Sequence, residues 1–177
     1  MKKNISILLT FIAFIIIYIL QANFFTWFTI AGIKPNLFVI FVVFLGLFGG
    51  RYIGLTSGVI VGLLLDLFVG KSVGISAIML GIVGIFAGFL DKNFSKDSKI
   101  TIILMIVATT LVYEIGSYVI NTFIFSYEVV ILNFIKILLI ELLYNAILTI
   151  ILYPIIQKAG FALEEIYKEN KILTRYF

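Results

Sequence analysis

The sequence has no cysteine, no histidine and only two prolines among its 177 residues. The first two absences exclude thiol nucleophiles, disulfides and the usual zinc or haem ligands. Charge is scarce as well. Asp, Glu, Lys and Arg together make up 12% of the chain, about half of the ~25% found in a soluble domain. What is present is apolar: 63% hydrophobic residues and a mean hydropathy of +1.23. Several runs reach the about 20 residues needed to cross a bilayer. Composition therefore predicts a single-domain, all-α, multi-pass membrane protein with little outside the membrane. The net charge of +4 is not a nucleic-acid signal, because the basic residues stand in loops beside apolar helices, where they set orientation.

The chain is organised around Leu45 to Gly74, where glycine recurs every fourth residue at Gly46, Gly50, Gly54, Gly58 and Gly62 and the next step lands on Asp66. A spacing of four falls ~40° short of an exact helical turn, so the row drifts around the helix as a groove. Such i±4 grooves accept a second helix at a negative crossing angle. In a bilayer this is the small-xxx-small device, where close backbone approach supplies the packing. The groove takes either a partner protein's helix or the fourth span, which carries Gly81, Gly84 and Gly88.

Six spans are expected, at approximately 5–22, 36–48, 52–69, 73–90, 100–125 and 129–156, with a tail over 157–177. The first follows Lys2 and Lys3, is too long for a signal-peptide h-region and has no A-x-A site, so it reads as uncleaved. Phe24, Phe25, Trp27 and Phe28 form an aromatic cluster typical of a membrane boundary. Pro35 opens the second span with a φ suited to a first helical position, and Pro154 is expected to kink or loosen the end of the sixth. The tail reads either as a helix on the membrane surface or as a solvated extension. With the N-terminus inside, Lys2, Lys3, Arg51, Lys92, Lys96, Lys99, Lys158, Lys168, Lys171 and Arg175 are cytoplasmic, against Lys34 and Lys71 outside. That asymmetry places both termini in the cytoplasm.

Four ionisable residues fall within spans: Asp66, Glu114, Lys136 and Glu141. Each costs at least ~2.5 kcal/mol at the bilayer centre, so each must face other helices, water or one another. At ~1.5 Å per residue, Asp66, Glu114 and Lys136 all lie ~20 Å above the inner boundary. This predicts a Lys136–Glu114 bridge with Asp66 nearby. Glu141 lies ~140° around the helix from Lys136 and is expected to pair with Asn145, one turn on. The set is either an ion, proton or substrate pathway or a group of paired charges that fixes helix order. Asp66 has a simpler reading too, as a residue meeting headgroup water. No catalytic constellation emerges, and no cofactor or metal is expected.

The order Pro35-Asn36-Leu37, then Gly46, Gly50, Gly54, Gly58 and Gly62, then Leu63-Leu64-Leu65-Asp66 resembles the rod shape-determining protein MreD family. Glu114 in the fifth span and Pro154 late in the sixth extend the likeness more loosely. The resemblance implies a non-enzymatic component of the bacterial cell-elongation machinery in the cytoplasmic (inner) membrane, surrounded by membrane lipids. Its implied partners are MreC and, through it, MreB, RodA and a penicillin-binding transpeptidase, in the organisation of lateral peptidoglycan synthesis. The resemblance also implies a fold similar to the S components of energy-coupling-factor transporters. The alternative is thus a vitamin-binding importer subunit. The Ala-x-x-x-Ala docking patch of S components is missing, since the only alanines near the first span are Ala13 and Ala22.

Overall fold

The computed structural model describes residues 2–69, 74–90, 98–125 and 130–173, with side chains omitted at a few of the ends. The turn expected at Gly70-Lys71-Ser72, most of the hydrophilic break at Asp91 to Lys99, the turn at Ser126-Tyr127-Glu128 and the last four residues lie outside the described residues. Seven helices occur among those described: α1 (Lys2–Ile19), α2 (Phe25–Trp27), α3 (Leu37–Gly49), α4 (Arg51–Val69), α5 (Ile75–Leu90), α6 (Lys99–Phe125) and α7 (Ile131–Leu173). A π-helical segment, Leu20–Phe24, joins α1 to α2. The first span therefore continues into the aromatic cluster instead of stopping before it. Four stretches are long and apolar enough to cross a membrane: Ile7–Trp27, Arg51–Phe68, Lys99–Ile124 and Ile131–Glu165.

The other two apolar helices, α3 and α5, have 13 and 16 residues. Their lengths are ~20 and ~24 Å, short of the ~30 Å hydrocarbon core. Both are internal. In α3 all positions except Phe44 and Gly49 are buried, and the helix packs against α4, α5, α6 and α7. A helix that is apolar on every side has no polar face to orient it, and it becomes the axis of the bundle. The core is built on it from Val39, Val42, Val43, Leu45 and Phe48, with Leu80, Val83 and Ala87 from α5. By contrast α1 is peripheral. It buries Phe14, whose ring centroid lies 6.0 Å from that of Phe38, while Ile7, Leu8, Phe11, Ile16 and Ile19 remain exposed.

The glycine ladder is occupied from inside the protein. A Cβ built on Gly54 would run into the Gly84 carbonyl, one on Gly58 into the Leu80 carbonyl, and one on Gly62 into the backbone at Ser76–Ala77. Gly46, on α3, faces the same surface, with the Gly84 oxygen 2.6 Å from its would-be Cβ. Of the two occupants left open by the sequence, α5 is the one in the groove. Gly50 has a different task. It is the single residue between α3 and α4 and has φ +88°, a conformation that glycine adopts without Cβ strain.

The tail is neither a separate surface helix nor a solvated extension at its start. The helix α7 runs unbroken through Pro154 to Leu173. Phe161 sets its ring edge against Phe48 at 5.7 Å, and Gly160 is buried against the same Phe48 ring. Pro154 removes one N–H from the ladder, yet the packing on either side carries the helix past it.

Candidate functional site

The one-residue link at Gly50 starts α3 and α4 level and antiparallel. Because α4 has 19 residues and α3 has 13, α3 stops about six residues, or ~9 Å, below the far end of α4. Two consequences follow from this recess. The first turn of α3 presents unpaired N–H groups, recessed among the longer helices, that need partners. Above that turn the longer helices enclose a space.

The unpaired groups are met by side chains. Asn36 is the N-cap, its Oδ1 accepting from the Val39 N–H at 3.3 Å. The Asn36 N–H itself donates to Asn145 Oδ1 on α7 at 2.8 Å. Asn145 Nδ2 in turn donates to Thr110 Oγ1 on α6 at 3.1 Å. On the other side Gln21 Nε2 donates to the Pro35 carbonyl at 2.7 Å, and the Leu37 N–H donates to Gln21 Oε1 at 3.1 Å. Pro35-Asn36-Leu37 is thus a helix start clamped by one amide from the π-helical segment and one from α7. Asn145 is fully buried. An asparagine with both ends hydrogen-bonded at that depth ties three helices together.

The second short helix is handled in the same way. Asp66, on α4, is 5% exposed. It accepts from the backbone N–H groups of Gly74 at 2.7 Å, Ser76 at 3.3 Å and Ala77 at 3.3 Å. It is a remote N-cap for α5, a carboxylate at the positive end of a helix dipole. Asp66 is thus engaged with the α5 backbone and not with Lys136.

The expected bridge between Lys136 and Glu114 is not formed. The Lys136 side chain is exposed on the surface of α7, while Glu114 faces the carboxyl of Glu141. The physical reason is rotational. Height along a helix is readable from residue counts, but the facing direction of two helices is set by how they pack, and that packing turns Lys136 outward. Lys136→Ala is therefore expected to leave thermal stability within about 0.5 kcal/mol of the parent, as for a surface substitution. An unfolding titration in detergent that shows a loss of several kcal/mol would restore the bridge. Glu141 is 7% exposed, with Glu114, Asn36 and Asn145 around its carboxyl. The sequence paired Glu141 with Asn145. The structure brings Asn145 against the Glu141 carboxyl, while its Oδ1 accepts from the Asn36 N–H and one of the two N–H groups of its Nδ2 goes to Thr110.

The space above α3 is a cavity of about 320 Å³ lined by Gln21, Lys34, Pro35, Asn36, Phe38, Leu65, Asp66, Ser76, Tyr113 and Glu141. Tyr113 stands against Ser76 and Asn36. Lys34, in the loop before α3, donates from Nζ to Thr26 Oγ1 at 2.8 Å. Of these lining residues, Gln21, Ser76 and Tyr113 carried no sequence signal beyond their chemistry. A glutamine at the end of a first span followed by a Pro-Asn helix start is the one cue that could have pointed to the clamp. Among the described residues no group of three or more metal-ligating side chains occurs.

These features define a class: a multi-pass helical membrane protein in which two short inner helices are capped by polar side chains from their longer neighbours, leaving a polar cavity at their N-terminal ends. A family model described as rod shape-determining protein MreD matches residues 1–159, and the chain belongs to that family. Its role is accordingly in the determination of rod shape. Neither the curated proteins nor the solved structures gave a match, so the likeness to S components has no solved structure behind it.

Proposed function

We propose that the chain is a non-enzymatic component of the bacterial cell-elongation complex, set in the cytoplasmic membrane with both termini in the cytoplasm. In this reading it binds MreC and works through it with MreB, RodA and a penicillin-binding transpeptidase to organise lateral peptidoglycan synthesis. The observation that carries the reading is the family match across residues 1–159. The fold is in keeping with it. The described residues are spent almost entirely on packed apolar helices, so contact with partners is made laterally, through helix faces. Since α5 fills the glycine groove, a partner helix has to use another surface. The grooves flanking α1, one of them lined by Phe11, Phe14, Phe41, Leu45 and Val61, are apolar and of helix-receiving size.

The test is purification of the tagged chain from its native membranes in mild detergent, with mass spectrometry of what comes with it. MreC and the wall-synthesis enzymes are the expected companions. A paired ATPase and a coupling membrane subunit would instead establish the second reading, a small-molecule-binding S component of an energy-coupling-factor importer. That reading is favoured by one observation, the polar cavity above α3.

A further inference from the structure

The hydrogen bonds around the cavity can be accounted for group by group. Both oxygens of Asp66 are taken by backbone N–H groups of α5. Asn36 Oδ1 is taken by Val39, and both ends of Gln21 are taken by the backbone at Pro35 and Leu37. Besides the hydroxyls of Ser76 and Tyr113, two charged groups on the wall remain with capacity. Glu141 Oε1 is buried and has no hydrogen-bond partner, an expensive condition for a carboxyl oxygen at this depth. Lys34 Nζ makes one hydrogen bond, to Thr26, out of the three that an ammonium can donate.

A carboxyl backed by a second carboxyl, Glu114, and a cation with spare donors, on the wall of one cavity, suit a ligand with charge of both signs. A simple anion would meet Glu141, with Glu114 behind it. A simple cation would meet Lys34. The level of the cavity narrows the chemistry. Lys34 is tied through Thr26 to the helix that carries Trp27, which is 88% exposed. Exposed tryptophan at the end of a span marks the headgroup layer, where phosphate is the abundant anion.

We propose that this cavity binds an ammonium–phosphate zwitterion of the ethanolamine-phosphate type, with the primary ammonium donating to the Glu141 carboxyl and the phosphate beside Lys34. The terminal torsion of a glutamate is soft, so the carboxyl turns toward the ammonium at little cost. Ser76 and Tyr113 on the same wall supply hydroxyls for the remaining oxygens. The same chemistry is available from a lipid headgroup and from a soluble phosphoethanolamine, and no bond is made or broken in either case.

The sole tryptophan, Trp27, directly follows Thr26, which is bonded to Lys34, so thermal unfolding of the full-length protein can be followed by intrinsic fluorescence. O-phosphoethanolamine should raise the midpoint saturably, and phosphocholine should not, because its quaternary ammonium has no N–H to offer Glu141. In parallel, native mass spectrometry from nanodiscs should show retained phosphatidylethanolamine in preference to phosphatidylcholine if the source is a lipid. Glu141→Gln should weaken binding about tenfold or more, the loss of one charged hydrogen bond. Lys34→Ala, in an exposed loop, should weaken it without affecting the fold. A midpoint shift with the soluble compound, or lipid retention alone, supports the site and identifies its source. No preference for the primary amine in either assay, or full binding by both variants, overturns it.

Discussion

Gly58→Leu is expected to yield no folded, monodisperse protein. The Cβ alone would run into the Leu80 carbonyl of α5, with the Leu80 carbonyl carbon 2.6 Å away and the Gly81 nitrogen 3.0 Å away. These are backbone atoms, so no rotamer change relieves the overlap, and the two helices must separate along their whole contact. Overpacking in a core that can adjust costs about 1–3 kcal/mol. Here the cost should lie at or above the top of that range, because Gly54 and Gly62 lose their close approach at the same time. Gly81→Ala is the matched control. Its nearest neighbours are the side-chain atoms Val59 Cγ2 at 2.9 Å and Leu55 Cδ1 at 3.5 Å, which can move. Replacing a mid-helix glycine by alanine recovers up to ~1 kcal/mol of helix propensity. Gly81→Ala should therefore be near neutral. Fluorescence-detected size exclusion and thermal unfolding in detergent read both. A monodisperse Gly58→Leu peak with a parental midpoint would remove the α4–α5 contact from the account.

Asp66→Ala should be the second most damaging change. It strands the N–H groups of Gly74, Ser76 and Ala77 at the start of α5. An ordinary N-cap loss costs about 0.5–2 kcal/mol where water can step in. At 5% exposure water access is poor, so about 2–4 kcal/mol is expected, with the larger figure following from backbone groups left unmet in a low dielectric. Asp66→Asn should recover part of the loss, since its one carbonyl oxygen still accepts while the charge at the helix dipole is gone. Equal midpoints for the alanine and asparagine variants would mean that the side chain does not cap α5.

Both predictions concern residues that the sequence singled out for different reasons. The glycine period was legible because it is a covalent pattern. It establishes that some helix approaches closely, but the identity of that helix depends on which surface α5 turns toward α4. Asp66 was legible as a polar residue in an apolar run. Its partners were not, because they are backbone groups of another helix, and a backbone N–H leaves no mark in a sequence. Lys136 is the sharpest contrast. Its side chain is exposed and faces away from Glu114. The Glu114–Glu141 pair that forms instead joins two helices whose relative rotation no periodicity encodes.

Composition and periodicity thus determined what each segment must be: apolar helices of about membrane length, a helix start near Pro35-Asn36, and a glycine groove ready for a helix. These follow from local constraints, hydrophobicity, helix geometry and capping chemistry, that act over a few residues. Tertiary structure alone decided that the short α3 becomes the axis and that α5 fills the groove. It also decided that Gln21, Asp66 and Asn145 close the helix ends and that a cavity remains above α3. The physical reason is length. Helices of unequal reach packed side by side leave their shorter members ending at a depth without water, and only the neighbours that happen to surround those ends can satisfy them.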